Sequence, residues 1–148
     1  MHKPRFHMMI VAAAAFGASA TVFAETETKR YCSDSLVHGT YGIQMQGTRP
    51  APDGSTESVI GVVVRLYDGN GGITQIDNVK GSVTGITPNR VGSGTYRVND
   101  DCTVRMEFHP GPGIVIRETA VIVDNGRELR SITVFPPGVM VTGVHRRI

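Results

Sequence analysis

From residue 39 onward, apolar and polar residues alternate along this chain with a period of two, and turn residues interrupt the alternation about every ten positions. In residues 39–47, GTYGIQMQG, Tyr41, Ile43 and Met45 fall on one face, and Gln44 and Gln46 fall on the other. A pleated strand produces this period, because successive side chains point to opposite faces. A helix would place its apolar residues three and four apart. Residues 57–67, ESVIGVVVRLY, alternate more strongly still: Ile60, Val62, Val64 and Leu66 form one wholly apolar face, against Val59, Gly61, Val63, Arg65 and Tyr67. Both faces carry apolar residues, so the pattern leaves open which one turns inward.

The same reading predicts strands over 73–80, 95–98, 102–109, 114–124, 127–135 and 139–145, with 114–124 the longest. In 102–109, Val104, Met106 and Phe108 share a face opposite Thr103, Arg105 and Glu107. Residues 81–94, GSVTGITPNRVGSG, contain four glycines and a proline, and hold one short strand at most. Residues 33–37 suit a single helical turn. Seven or eight strands joined by short loops, with no helical crossover, pair antiparallel as a meander. A meander of that size leaves exposed edges unless it closes, so the expected fold is an all-β, up-and-down barrel of about seven to eight strands, with a two-sheet sandwich as the alternative.

The connection LYDGNGGIT, residues 66–74, has two readings. Asp68 and Asn70 occupy the first and third positions of a calcium loop, but the fifth is Gly72 and the twelfth is Val79, so two side-chain ligands are missing. Strands flank it where helices are required. A glycine-supplied hairpin turn is the better reading, and Asn125-Gly126 is a second hairpin signal.

The first 24 residues differ from the rest. A basic leader, MHKPRFH, precedes an alanine-rich apolar run over 8–23, and Val22-Phe23-Ala24 gives the small–x–small pattern of signal peptidase cleavage before Glu25. The run falls short of the roughly 20 residues that a spanning helix needs. The expected organisation is a signal peptide over 1–24, a flexible segment over 25–38 and one domain over 39–148, in an exported protein, periplasmic or secreted, with no stable membrane span after cleavage. Lys3 and Arg5 leave with the leader, so 13 of the 15 basic residues remain against 13 acidic ones. The nominal pI of 8.7 therefore reflects the leader, and nucleic acid is not an expected partner. Two cysteines far apart, Cys32 and Cys102, in an oxidising compartment are most simply a disulfide.

The segments GTYGIQMQG, VVVRLYDGNGGITQIDNV and GSGTYRVNDDCT together resemble a group of small exported bacterial proteins. That group is marked by an opening Gly-x-Tyr strand, an Asp-Gly hairpin, and Ser-Gly-Thr-Tyr-x-Val-Asn-x-Asp-Cys-Thr. The resemblance covers about residues 39–104 and implies a small barrel similar to calycin-like or allene-oxide-cyclase-like barrels. It transfers no catalytic residue.

Catalytic constellations are weak. Glu107 and His109 share a strand face but lack a third metal ligand; there is no Gly-x-Ser-x-Gly; and Asp100-Asp101 sits in a turn where adjacent side chains diverge. No cofactor is expected. Arginines at 65, 97, 105, 117 and 130 alternate with apolar neighbours in mid-strand, and on the solvent face they would shield the strands with their stems. The sharper reading turns one or two of Arg65, Arg97, Arg105 and Arg117 into a lumen, where Glu107 or Glu118 would help to bind a small apolar or anionic ligand. Tyr41, Tyr67 and Tyr96 would line that lumen or plug it, plugging being the simpler use. The functional expectation is a non-catalytic binding or envelope-associated barrel. A lumen enzyme of the isomerase or cyclase type and a structural or adhesive surface protein are the alternatives.

Overall fold

The computed structural model describes residues 31–148, so the signal peptide expected over 1–24 and residues 25–30 lie outside the described residues. The chain forms a closed barrel of eight strands, each antiparallel to its neighbours in sequence, with β8 returning to β1. The strands are β1 (His38–Pro50), β2 (Thr56–Asp68), β3 (Gly72–Gly81), β4 (Gly85–Val98), β5 (Thr103–His109), β6 (Ile116–Val123), β7 (Glu128–Phe135) and β8 (Met140–Arg147). Closure pairs every strand on both sides and removes the edges that an open meander would expose.

The two ends of the barrel differ. At one end lie the hairpin between Asp68 and Gly72, the turn before Thr103, and the short 3-10 turn Asp124–Gly126. The N-terminal residues close this end. A 3-10 turn, Asp34–Leu36, fills the single-turn position expected over 33–37, and Val37 behind it is fully buried. Tyr96 donates its hydroxyl to the carbonyls of Val37 (2.6 Å) and Asp34 (2.9 Å), and the Val98 amide donates to the Asp34 carboxylate at 2.6 Å. The disulfide Cys32–Cys102, with Cα atoms 5.1 Å apart, clasps the segment to the β4–β5 turn. Of the segment 25–38, residues 32–37 are thus a packed cap.

Beneath the cap, Tyr41, Tyr67 and Tyr96 stack edge to face, with ring centroids 5.1 Å apart in each successive pair. With Ile73, Val98, Val104, Met106, Ala120 and Leu129 they fill this half of the barrel, so the tyrosines plug it. Edge-to-face pairs set the positive ring edge of one against the negative face of the next, which adds to the area buried.

The hairpin in LYDGNGGIT is confirmed in its mechanism. Gly69 (φ +81°) and Gly71 (φ +101°) take the left-handed conformations that other residues avoid. The Asp68 carboxylate accepts the amides of Asn70 (2.7 Å) and Gly72 (2.8 Å), so the acidic side chain that suggested a cation ligand is a turn cap.

Two length expectations fail. Residues 81–94 lie mostly in β4, which at 14 residues is the longest strand, while the stretch expected to be longest yields the 8-residue β6. The glycines that suggested a loop serve close approach instead. A Cβ on Gly94 would sit 2.1 Å from the Glu107 carbonyl oxygen of β5, so glycine lets the two strands pack where the barrel bends.

Candidate functional site

The half of the barrel away from the cap is not filled. A cavity of about 230 Å³ opens between the connections at the other end, with mostly apolar walls that include Ile43, Val59, Val63, Val79, Phe108 and Val141. Period-2 alternation builds these walls: Val59, Val63 and Arg65 come from the inner face of β2, and Gln75, Asp77 and Val79 from that of β3. The face of β2 that is wholly apolar points outward, with Ile60, Val62, Val64 and Leu66 between 46% and 60% exposed.

The floor of the cavity is polar. Arg65, 2% exposed, donates from Nε to Gln75 Oε1 (2.8 Å) and from Nη1 to Glu118 Oε2 (3.1 Å) and the Tyr67 hydroxyl (3.3 Å). Gln75 passes the chain on by donating to Asp77 (2.8 Å), which in turn accepts Arg90 at the mouth (2.9 Å). Glu57, also buried, accepts Arg49 (2.7 Å) and the amides of Val83 and Thr84, which ties the first turn at the mouth to the second. The backbone amide of Thr84, the Arg49 guanidinium and the Val83 amide together hold Glu57 down to about 2 against the opposing effect of burial. Each buried carboxylate thus has a cationic or amide partner, as a charge out of water requires.

Arg65 Nη2 stands apart. No hydrogen bond among the described residues uses it, yet no enclosed side-chain nitrogen or oxygen of those residues lacks a partner. Nη2 therefore touches open space, and the open space beside Arg65 is the cavity it lines. Burial opposes the guanidinium charge, but the fields of Tyr67 and Glu118 outweigh it and raise its pKa. The Arg65 guanidinium also lies 4.5 Å over the Phe108 ring, an arrangement stabilised by the negative face of the ring.

Beside Arg65, Tyr67, His145 and Ser131 form a relay: Tyr67 Oη to His145 Nδ1 (2.9 Å) and His145 Nε2 to Ser131 Oγ (2.9 Å). Arg65 can only donate, so the Tyr67 oxygen accepts from it. The hydroxyl proton then goes to Nδ1, a better acceptor than the Met106 sulfur 3.3 Å away, and this assigns the histidine proton to Nε2. Burial and the Arg65 charge push the imidazole well below its ordinary pKa, and burial pushes Tyr67 up to about 12. Both are neutral at pH 7.

Of the residues singled out from sequence, Arg65 and Glu118 meet at the floor, and Tyr67 touches it through its hydroxyl. Arg97 and Arg105 point outward; Arg97 lies 3.8 Å from Asp34 near the cap. Arg117 and Glu107 pair with each other on the outer surface at 2.7 Å, with His109 3.6 Å from Glu107. Solvent reaches all of these, so they belong to the outer face and not the lumen. Tyr41 and Tyr96 belong to the plug. Gln75, Asp77, Arg90, Arg49 and His145 were missed; each is a polar residue in an alternating strand, and the alternation is the same whether such a residue points in or out. Among the described residues no group of three or more metal-ligating side chains converges. The chain matches no family model, no curated protein and no solved structure.

Proposed function

We propose that the barrel is a non-catalytic binder of a small, mainly apolar molecule carrying one hydrogen-bond-accepting group. The molecule would enter at the open end and place its acceptor on Arg65 Nη2. The observation that carries this reading is the Nη2 of the buried Arg65 side chain, for which no described residue is an acceptor and which faces the open space of an apolar cavity. An apolar pocket with few, convergent polar groups is the usual form of a small-molecule site. Glu118 already balances Arg65, which favours a carbonyl, hydroxyl or amide over a strongly anionic head.

The same geometry argues against the isomerase or cyclase alternative. Proton transfer wants a group that titrates near the working pH. Here His145 is spent on two hydrogen bonds and held neutral, and burial pushes the Tyr67 pKa up to about 12, far from the working pH. The leader over 1–24 supports an exported, periplasmic or secreted location, and the shared strand and hairpin motifs support membership of the group of small exported bacterial barrels.

Native mass spectrometry of the purified protein, together with thermal shifts by short-chain ketones, alcohols and carboxylic acids, tests the reading. Val141→Phe, which fills the lumen, should abolish the shifts. The double change Arg65→Met with Glu118→Met removes both charges together and should spare purely apolar probes while losing the ketones. Shifts that survive Val141→Phe would place the binding elsewhere and refute the proposal.

A further inference from the structure

The outer surface is sharply divided. Between Asp68 and Lys80 at their ends, the outward positions of β1, β2 and β3 carry no charge: Thr40, Gly42, Gln44 and Gln46 on β1, Ile60 to Leu66 on β2, and Thr74, Ile76 and Asn78 on β3. The outward positions of β5 to β7 carry Arg105, Glu107, Arg117 and Arg130. A barrel that spans a bilayer is apolar all the way round, and this one is charged over half its circumference.

Register gives the uncharged face its shape. Gly42 lies opposite Arg146 of β8 on one side and Val64 on the other; Val64 pairs with Ile76, and Ile76 with Val91. The row therefore falls from side chain to bare backbone at Gly42. There a shallow groove of about 760 Å³ crosses the face, running from Arg146 on β8 past Gly42 and the Val62–Val64 stretch to Ile76 and Asn78 on β3. The β2 row Ile60-Val62-Val64-Leu66, about half exposed along its length, forms a ridge that runs through this groove and on past both of its sides.

We propose that this face is the contact surface of a homodimer in which the β2 ridge of each copy seats in the Gly42 groove of the other. Ridge and groove share one face, so a two-fold axis through that face lets each copy supply both at once, as an isologous interface requires. Six exposed apolar side chains (the four ridge residues with Ile76 and Val91), each contributing on the order of 100 Å², present roughly 600 Å². That is at the top of what a monomer usually shows in one patch and near the ~800 Å² per partner of a standard interface. The uncharged polar rim of Gln44, Gln46, Thr74 and Asn78 supplies donors and acceptors that pair with copies of themselves. A lipid surface would call for basic residues around the apolar patch, and among the described residues only Lys80 and Arg146 border it.

Sedimentation equilibrium of protein purified from cells expressing the full chain tests this, with and without vesicles of phosphatidylcholine and phosphatidylglycerol. The expected result is a reversible dimer in the micromolar range. Val64→Arg should shift it to monomer, and the milder Val64→Thr, which keeps the β-branch, should weaken it. Gly42→Leu separates a shaped interface from a merely sticky surface. It adds apolar area, and the nearest atom to its Cβ, on Ile148, is 3.5 Å away, so the backbone admits a Cβ there. Filling the groove should weaken the dimer at least tenfold. Tighter association of Gly42→Leu, a wild-type monomer at tens of micromolar, or vesicle binding by a monomer that Val64→Arg abolishes would each overturn the proposal.

Discussion

His145 makes the stability of this barrel depend on pH in a window where few other groups act. The imidazole is 1% exposed, hydrogen-bonded at both nitrogens and faced by the Arg65 guanidinium, so the folded chain keeps it neutral well below the ordinary value of 6.5. The unfolded chain takes up a proton at that ordinary value. Below it the unfolded state binds more protons than the native state, and stability falls as pH falls. With the native imidazole neutral throughout, the loss between about pH 7 and pH 5 is about 2 kcal/mol, from roughly 1.4 kcal/mol per unit of pH below 6.5. Carboxylates with depressed pKa values, such as Glu57, Asp68 and Glu128, act only below about pH 4.5 and leave the window clear. Urea unfolding at a series of pH values measures the slope. His145→Gln, which keeps a donor and an acceptor without the titration, should remove most of it. An equal slope in both proteins, or a His145 imidazole resonance that titrates near 6.5 in the folded protein, would rule out His145 as the source of the pH dependence.

Three further outcomes are expected. Replacing Cys32 and Cys102 with serine should lower stability by about 4 kcal/mol, from the chain entropy of a 70-residue separation, read as a shift in the urea midpoint. The hydrogen bonds from Tyr96 to Val37 and from Val98 to Asp34 should still hold the cap in place at low temperature. Glu57→Gln should reduce stability at neutral pH and flatten the acid response. The depressed carboxylate contributes fully above about pH 4.5 and loses its contribution as pH falls toward its folded value of about 2, so an acid titration followed by circular dichroism should separate the two proteins. Gly94→Ala should cost on the order of 1–3 kcal/mol, because its methyl meets the Glu107 carbonyl, whereas Gly111→Ala, whose Cβ has nothing closer than 3.8 Å, should stay within about 0.5 kcal/mol.

The lumen pairs charge with shape in a way that bears on specificity. Burying Arg65 and Glu118 together stabilises the barrel little beyond what a well-packed apolar pair would give. What the pair retains is a fixed donor facing an apolar cavity, and under the proposed binding role it would disfavour a guest that seals the cavity and leaves it unpaired.

Local pattern specifies the strands, apart from most of β4, and most turns, and a count of two cysteines leaves one possible disulfide pair. The period of two in 39–47, 57–67 and 102–109 is a property of the extended backbone, and the turn at Asp68 to Gly72 follows from a carboxylate capping its own amides between glycines; both act over a few residues. The length of β4 was hidden, because a glycine that loosens a loop and one that admits a neighbouring strand are the same letter; the Glu107 carbonyl that decides between them is supplied by β5. The faces of β2 were hidden for a related reason. Its cleaner apolar face turned out to solvent and its mixed face turned in, since only inside does Arg65 reach Gln75 from β3, Glu118 from β6 and, through Tyr67, His145 from β8. Those partners converge across the lumen only when the sheet closes, and closure is a property of all eight strands together.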